Sequence, residues 1–163
     1  KYIAENPDGF QISQFRLHYK IWAKRANPVT HMEPTLGYQA YFEGFKVGYF
    51  NTSKLFTKLK MAKADGSYLR ELAKLQRQDV IILDDFGLQA LDSTNRITLL
   101  EIIEDRHNNG SIIVTSQIPV QGWYDIIGEK TIADAILDRL IHQSHRIELH
   151  GESMRKKRGI NKS

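Results

Sequence analysis

Apolar residues recur along this chain with two different periods, and the change between them divides it. Near the amino terminus Ile12, Phe15, Tyr19, Trp22 and Ala26 fall at helical spacing, with Arg16, Lys20 and Lys24 off that stripe. This predicts a basic amphipathic helix that follows the Pro7-Asp8-Gly9 turn and cannot pass Pro28. Pro34 is a second interruption, so Asn27 to Pro34 reads as a linker. From Thr35 the pattern becomes an alternation of helices and strands. Helix is predicted from Leu36 to Glu43, with Gly44 as its left-handed cap. A strand is predicted over Lys46 to Phe50. A second helix runs from a cap at Asn51, Thr52 or Ser53 to about Lys63, and a third from Tyr68 to Arg77. Val80 to Leu83 is wholly apolar, as a strand buried on both faces requires. Ser93 opens a helix with Ile97, Leu100, Ile103 and His107 on one face, ended at Asn109-Gly110. A buried strand follows at Ser111 to Thr115, a short helix or turn at Trp123-Tyr124, a helix at Ile132 to Ile141, and a strand at Arg146 to Leu149. Strands separated by helices predict an α/β fold with a parallel sheet covered on both sides.

Length and composition fit that picture. A chain of 163 residues suggests one domain or one domain with a short attachment. With no cysteine, disulfide frameworks, thiolate chemistry and cysteine zinc sites are excluded. The longest strictly aliphatic run, Val80 to Leu83, is too short to span a membrane, and a cytoplasmic protein is expected. Lys1 opens the chain with no signal-peptide pattern, which suggests an incomplete amino terminus. The net charge of +4 is not spread evenly. Residues 153–163 carry Arg155, Lys156, Lys157, Arg158 and Lys162 and no acid; setting those five aside from the 23 Lys and Arg leaves 18, against 19 acidic residues. Any nucleic-acid contact argued from charge is therefore an argument about this tail, with Lys156, Lys157 and Arg158 as candidates.

The clearest chemical signal is Val80-Ile81-Ile82-Leu83-Asp84-Asp85. Ligands of open α/β sheets bind at the carboxyl ends of the strands. A carboxylate there can hold Mg²⁺ and its neighbour can orient an attacking water, the Walker B arrangement. An Asx turn is the structural alternative, which a single Asp would favour and two acids after an aliphatic run do not. The next strand ends in Thr115-Ser116-Gln117, polar groups able to sense a phosphate. Arg139, near the end of a helix, can reach a neighbouring subunit's phosphate or pair with Asp138 or Asp134. Arg155 is either a second phosphate sensor or the start of a solvated tail.

Over the ordered segments GFKVGYFNTSKLF, RQDVIILDDFG, IIEDRHNNGSIIVTSQIPV and GEKTIADAILDRLIHQSHRIELHGESMRKKR, the chain resembles the IstB-type ATP-binding proteins of bacterial insertion sequences, relatives of the DnaC helicase loader. TLGYQA resembles the helix after that family's phosphate loop, so the likeness covers about 129 residues from Thr35 onward. The resemblance implies an AAA+ P-loop fold, ATP and Mg²⁺ as ligands, and assembly on DNA with a transposase. It implies Asp84 as the metal acid, Asp85 in place of the usual catalytic Glu, Thr115 or Ser116 as the first phosphate sensor, Arg139 as an arginine finger and Arg155 as the later sensor. One departure is large. A Walker A loop needs Gly-Lys followed by Ser or Thr, so that backbone N–H groups and the Lys cradle phosphates. None of the 11 glycines precedes a lysine, and His31-Met32-Glu33-Pro34 stands where the loop is expected. The phosphate loop and the first strand of the sheet are thus expected to be missing. Residues 1–34 resemble part of IstA-type transposases, between a helix-turn-helix region and the catalytic domain.

The expected organisation is a transposase-like helical segment and linker over 1–34, an IstB-like ATPase domain over 35–152, and a basic tail over 153–163. The expected function is that of a transposition helper domain binding ATP and DNA, partnered by an IstA-type transposase and by copies of itself or intact relatives, with hydrolysis absent or very slow. The alternatives are a non-enzymatic remnant that binds DNA or a partner, and a chain whose sheet cannot close. Other constellations are weaker. His142, His145 and His150 lack supporting acids for a metal site; Glu101 and Asp105 join Asp84 and Asp85 in a nuclease site by sequence proximity alone; Phe15, Tyr19 and Trp22 stack on bases less often than they pack in a core; and Glu43 belongs to a helix of the ATPase-like region, not to a transposase site.

Overall fold

A computed structural model describes residues 20–25, 32–107, 109–141 and 144–149. Its elements run β1 (Lys20–Arg25), α1 (Met32–Phe42), β2 (Val47–Asn51), α2 (Thr52–Asp65), α3 (Tyr68–Gln76), β3 (Val80–Phe86), α4 (Ser93–Arg106), β4 (Ser111–Ser116), α5 (Trp123–Ile127), α6 (Lys130–Ile141) and β5 (Ser144–Leu149). The strands form one parallel sheet of order β2-β3-β4-β1-β5. No helix among the described residues is long and apolar enough to cross a membrane.

Alternation along the central strands sorts the core into two layers. Ile81, Leu83, Ile112 and Val114 face α2, α4, α5 and α6 in one cluster with Leu59, Leu99, Trp123 and Ile136. Val80, Ile82 and Ile113 face the other way and meet Leu36 and Ala40 of α1. That helix lies close to the sheet: a Cβ on Gly37 would stand 2.7 Å from Ile82 Cδ1. Local signals fix the element ends. Asn51 caps α2 by accepting from Lys54 N, Asp92 caps α4 by accepting from Asn95 N, and Gly66 closes α2 at φ 76°. Gly44, at φ 88°, ends the α1 turn as its sequence predicts.

The amino-terminal segment departs from expectation. Lys20–Arg25 is a strand, not the end of an amphipathic helix, and it lies between β4 and β5 with partners on both sides. The slot that the missing first strand would have left is therefore filled from within the chain. Two rows of unsatisfied N–H and C=O groups on β4 and β5 outweigh a helical periodicity read over a few residues. Residues 12–19 of the predicted helix lie outside the described residues. Pro34 also differs: it sits in the first turn of α1, where a helix needs no N–H donor. Of the residues predicted for the inner face of α4, Ile103 is buried as expected but Ile97 is 51% exposed, and Thr98, Leu99 and Ile102 are buried beside Ile103.

At the amino end of the sheet Arg106 is buried and donates to the carbonyls of Leu75, Gln78, Asp79 and Ser111 at 2.9 to 3.3 Å. Replacing it with Met leaves those acceptors without their donor, so Arg106→Met is expected to lower the unfolding free energy by about 3 kcal/mol in urea titrations. Ile21→Pro removes an N–H from a strand paired on both sides, and a loss of about 3 kcal/mol or more is expected by the same measurement.

Candidate functional site

The parallel sheet brings Asp84 and Asp85 to the carboxyl edge, where β3 is irregular. Its pairing with β4 is regular through Leu83 and resumes at Phe86 opposite Ser116. The two acids occupy the bulge between, and Asp85 takes a left-handed conformation at φ 56°. Asp tolerates that region better than most residues because it is short and polar. The result is that two successive carboxylates have different surroundings.

Asp84 is 6% exposed. Its Oδ1 accepts from Thr115 Oγ1 at 2.5 Å and from Asp85 N at 2.9 Å, and its Oδ2 accepts from the Tyr49 hydroxyl. The Asp84 carbonyl accepts from Thr52 Oγ1 at 2.7 Å. Asp85 is half-buried, and its Oδ2 accepts from Asn51 Nδ2 at 3.3 Å. Asn51 thus caps α2 with one atom of its amide and holds Asp85 with the other. Behind the bulge, Phe86 packs edge-on against Trp123 with ring centroids 4.7 Å apart. Arg96 ties the loops that follow β3 and β4, donating to Leu91 O at 3.1 Å and to Ile127 O at 2.5 Å.

Thr115 and Ser116 stand beside the acids as the sequence predicts, yet both hydroxyls are engaged within the fold. Thr115 donates to Asp84, and Ser116 donates to Phe86 O at 2.6 Å while accepting from Ile118 N at 3.0 Å. Both side chains are fully buried. Gln117, one residue further, is the exposed polar group at the tip of β4. Arg139 is not at this edge. It lies near the end of α6, just before β5 begins at the opposite edge of the sheet, and pairs with Glu104 of α4 at 3.2 Å. Its guanidinium also donates to Ala135 O at 2.9 Å. Arg155, Lys156, Lys157, Arg158, His142 and His150 lie outside the described residues; His145 is an exposed residue of β5. Glu101 accepts from the Tyr68 hydroxyl and Asp105 from Gln76 at 2.8 Å, both away from Asp84, and no cluster of three or more His, Asp or Glu suited to a metal occurs among the described residues. That excludes a nuclease-type carboxylate cage there, and fits Mg²⁺ of the kind held by one or two carboxylates together with phosphates and water.

Tyr49 carries no sequence signal of its own, and Asn51 only that of a helix cap. Tyr49 is opposite Ile82 and Asn51 opposite Asp84 across the β2–β3 pair, so their roles follow from register. Residues 26–31, which join β1 to α1 in sequence, include neither glycine nor lysine.

The model of the IstB-like ATP binding protein family matches residues 27–162. A putative insertion sequence ATP-binding protein of Sinorhizobium fredii is 48% identical over 121 residues, 74% of this chain and 49% of that protein. The putative ATP-binding protein of insertion sequence IS5376 from Geobacillus stearothermophilus is 32% identical over 126 residues, 77% of this chain and 50% of that protein. The chain thus spans about half the length of the curated relatives it matches. Among solved structures, the DnaC helicase loader aligns with a TM-score of 0.63 at 20% identity, covering 82% of this chain and 78% of its own, and DnaI with a TM-score of 0.71 at 20% identity, covering 91% and 79%. DnaA bound to AMPPCP and single-stranded DNA aligns with a TM-score of 0.71 at 16% identity, covering 86% and 43%. These neighbours share the α/β sheet with flanking helices, and the family match begins at Asn27, within the connection that follows β1. With most of its length matched by one family model, the chain belongs to the IstB-like ATP binding proteins of insertion sequences.

Proposed function

We propose that this chain is a helper domain of insertion-sequence transposition that receives a nucleotide and Mg²⁺ at the carboxyl edge of its sheet and hydrolyses ATP very slowly or not at all. The observation that carries the reading is the paired geometry of Asp84, fixed by Thr115 and the bulge, and Asp85, turned outward at φ 56°. Asp84 would be the metal acid, with Thr115 holding its carboxylate in place. Asp85 would orient water, and Asn51 would set its direction. Asp84 would hold Mg²⁺ there, and the ion would supply charge stabilisation to a phosphoryl group in transfer. Ser116 serves the β3–β4 edge itself, so phosphate contact from β4 falls to Gln117.

Arg139 stands at the far edge of the sheet from Asp84, and an arginine there can act only on a nucleotide held by another subunit. The proposal therefore includes assembly with copies of this chain or with intact relatives, in which Arg139 exchanges Glu104 for phosphate. Arg155 is proposed as a second phosphate contact, and Lys156, Lys157 and Arg158 as contacts to DNA. The IstA-type transposase is the proposed partner, and the likeness of residues 1–34 to such proteins supports a junction of the two.

Slow chemistry follows from the connection between β1 and α1. Without Gly-Lys, backbone donors and a lysine charge are lacking where the phosphates would rest. Calorimetric titration with ATP and Mg²⁺ is expected to show weak binding, and phosphate release little turnover; hydrolysis that Asp85→Asn abolishes would overturn the hydrolysis-deficient reading. Removal of residues 155–162 is expected to weaken DNA binding and flatten its dependence on salt, measured by anisotropy across a salt series; an unchanged slope would dissociate the tail from DNA. Thr115→Val is expected to cost about 1–3 kcal/mol of stability in denaturant titrations, and much less in an Asp84→Asn background, where the charged acceptor is already gone.

A further inference from the structure

The two oxygens of Asp84 are held from different sides. Oδ1 receives the Thr115 hydroxyl and the Asp85 N–H, donors that belong to the interior and to the strand itself. Oδ2 receives the Tyr49 hydroxyl, which comes from outside. β2 is the edge strand of the sheet. Tyr49 pairs with Ile82, two residues before Asp84, so its side chain lies on the same face as the carboxylate and one step diagonal to it. An aromatic side chain can span that diagonal. The residue directly opposite Asp84 is Asn51, whose amide is committed to Lys54 N and Asp85.

Tyr49 is 51% exposed, whereas Thr115 is fully buried. Tyr49 lies on the edge strand of the described sheet with half of its surface exposed, so its phenol has room to turn about χ1 toward solvent. Rotation of Thr115 is blocked on every side. The contact through Tyr49 is thus the one that can open while Asp84 keeps its position.

We propose that Tyr49 is a cap on the cation site: its hydroxyl occupies Asp84 Oδ2 and leaves when a divalent cation binds there. The inference rests on the reading of Asp84 as a metal ligand. A hard cation and a phenolic proton compete for the negative charge of one oxygen, since each draws on the same carboxylate density and the two positive centres repel. Tyr49 therefore acts through Asp84, as a positioning residue that sets how readily the site loads. The hydroxyl also satisfies a nearly buried carboxylate when no cation is present.

The test uses Mn²⁺ alone, counted as free ion by electron paramagnetic resonance, on the full chain and on Tyr49→Phe, which keeps the ring and its packing. Tyr49→Phe is expected to bind Mn²⁺ roughly tenfold tighter, the scale of one hydrogen bond to a charged group. Asp84→Asn is expected to abolish binding in both backgrounds. With ¹³Cζ-labelled tyrosine, Mg²⁺ is expected to move the Tyr49 resonance, identified by its loss in Tyr49→Phe, and to leave it in place in Asp84→Asn; a merely structural tyrosine would show no such shift. Thermal unfolding confirms that each variant is folded. If Mn²⁺ binds through Asp84 but Tyr49→Phe binds it equally or more weakly, the cap is overturned and the metal ligand stands. If neither protein binds Mn²⁺, or binding survives Asp84→Asn, the metal-ligand reading falls and the cap with it.

Discussion

A carboxylate that is 6% exposed must be met by donors, and the carboxyl edge of this sheet is arranged around that requirement at Asp84. Its donors come from separate elements: Tyr49 from β2, Thr115 from β4, and the Asp85 amide from the bulge. Each bond restricts the register of one strand against β3, since a shift by one residue would present the opposite face. The Asp85 amide can turn toward its neighbour's carboxylate only because the chain leaves regular strand geometry there. The same bulge points Asp85 away from the interior and toward Asn51. One buried charge thus accounts for a strand irregularity, a left-handed residue and the different environments of two adjacent acids.

The opposite edge carries the reverse arrangement. Arg106 is a buried cation that meets four backbone carbonyls, and burial lowers the pKa of its guanidinium below the ordinary value while the Asp105 and Asp79 charges act against that shift. Those carbonyls belong to the end of α3 and the starts of β3 and β4, so the guanidinium fixes where the two central strands begin. Gly110 is required beside it, since a Cβ there would lie 2.1 Å from Arg106 Nη2. With β3 and β4 pinned at the start by Arg106 and at the end by Asp84, the site rests on strands whose register is set at both ends.

What the chain's pattern discloses follows from how local each cause is. The apolar run before Asp84, the Asn51 cap and the Gly44 turn depend on neighbours in sequence, and all are readable there. β1 is not, because Trp22 falls on a helical stripe as well as in a strand, and the choice is made by the open hydrogen-bonding rows of β4 and β5. Thr115 and Ser116 are readable as polar groups beside the acids, but whether they face a ligand or the fold depends on bonds to Asp84 and Phe86 across the sheet. Tyr49, and the contact of Asn51 with Asp85, are invisible until register places them. Arg139 reads as a phosphate ligand by motif, while its position at the far edge emerges only from the course of α6.

The carboxyl edge of the sheet and the stretch that joins β1 to α1 rest on separate causes in this chain. The edge needs β3, β4 and their acids, whose geometry is maintained by internal bonds that involve no phosphate. Residues 26–31, between β1 and α1, include neither glycine nor lysine. Strand β1 is required by the sheet whatever loop follows it, because its backbone closes the gap between β4 and β5. A sequence that supplies any strand there keeps the sheet, and keeping the sheet keeps Asp84 and Asp85 in place. The setting of the two acids therefore depends on the sheet and not on the residues that join β1 to α1.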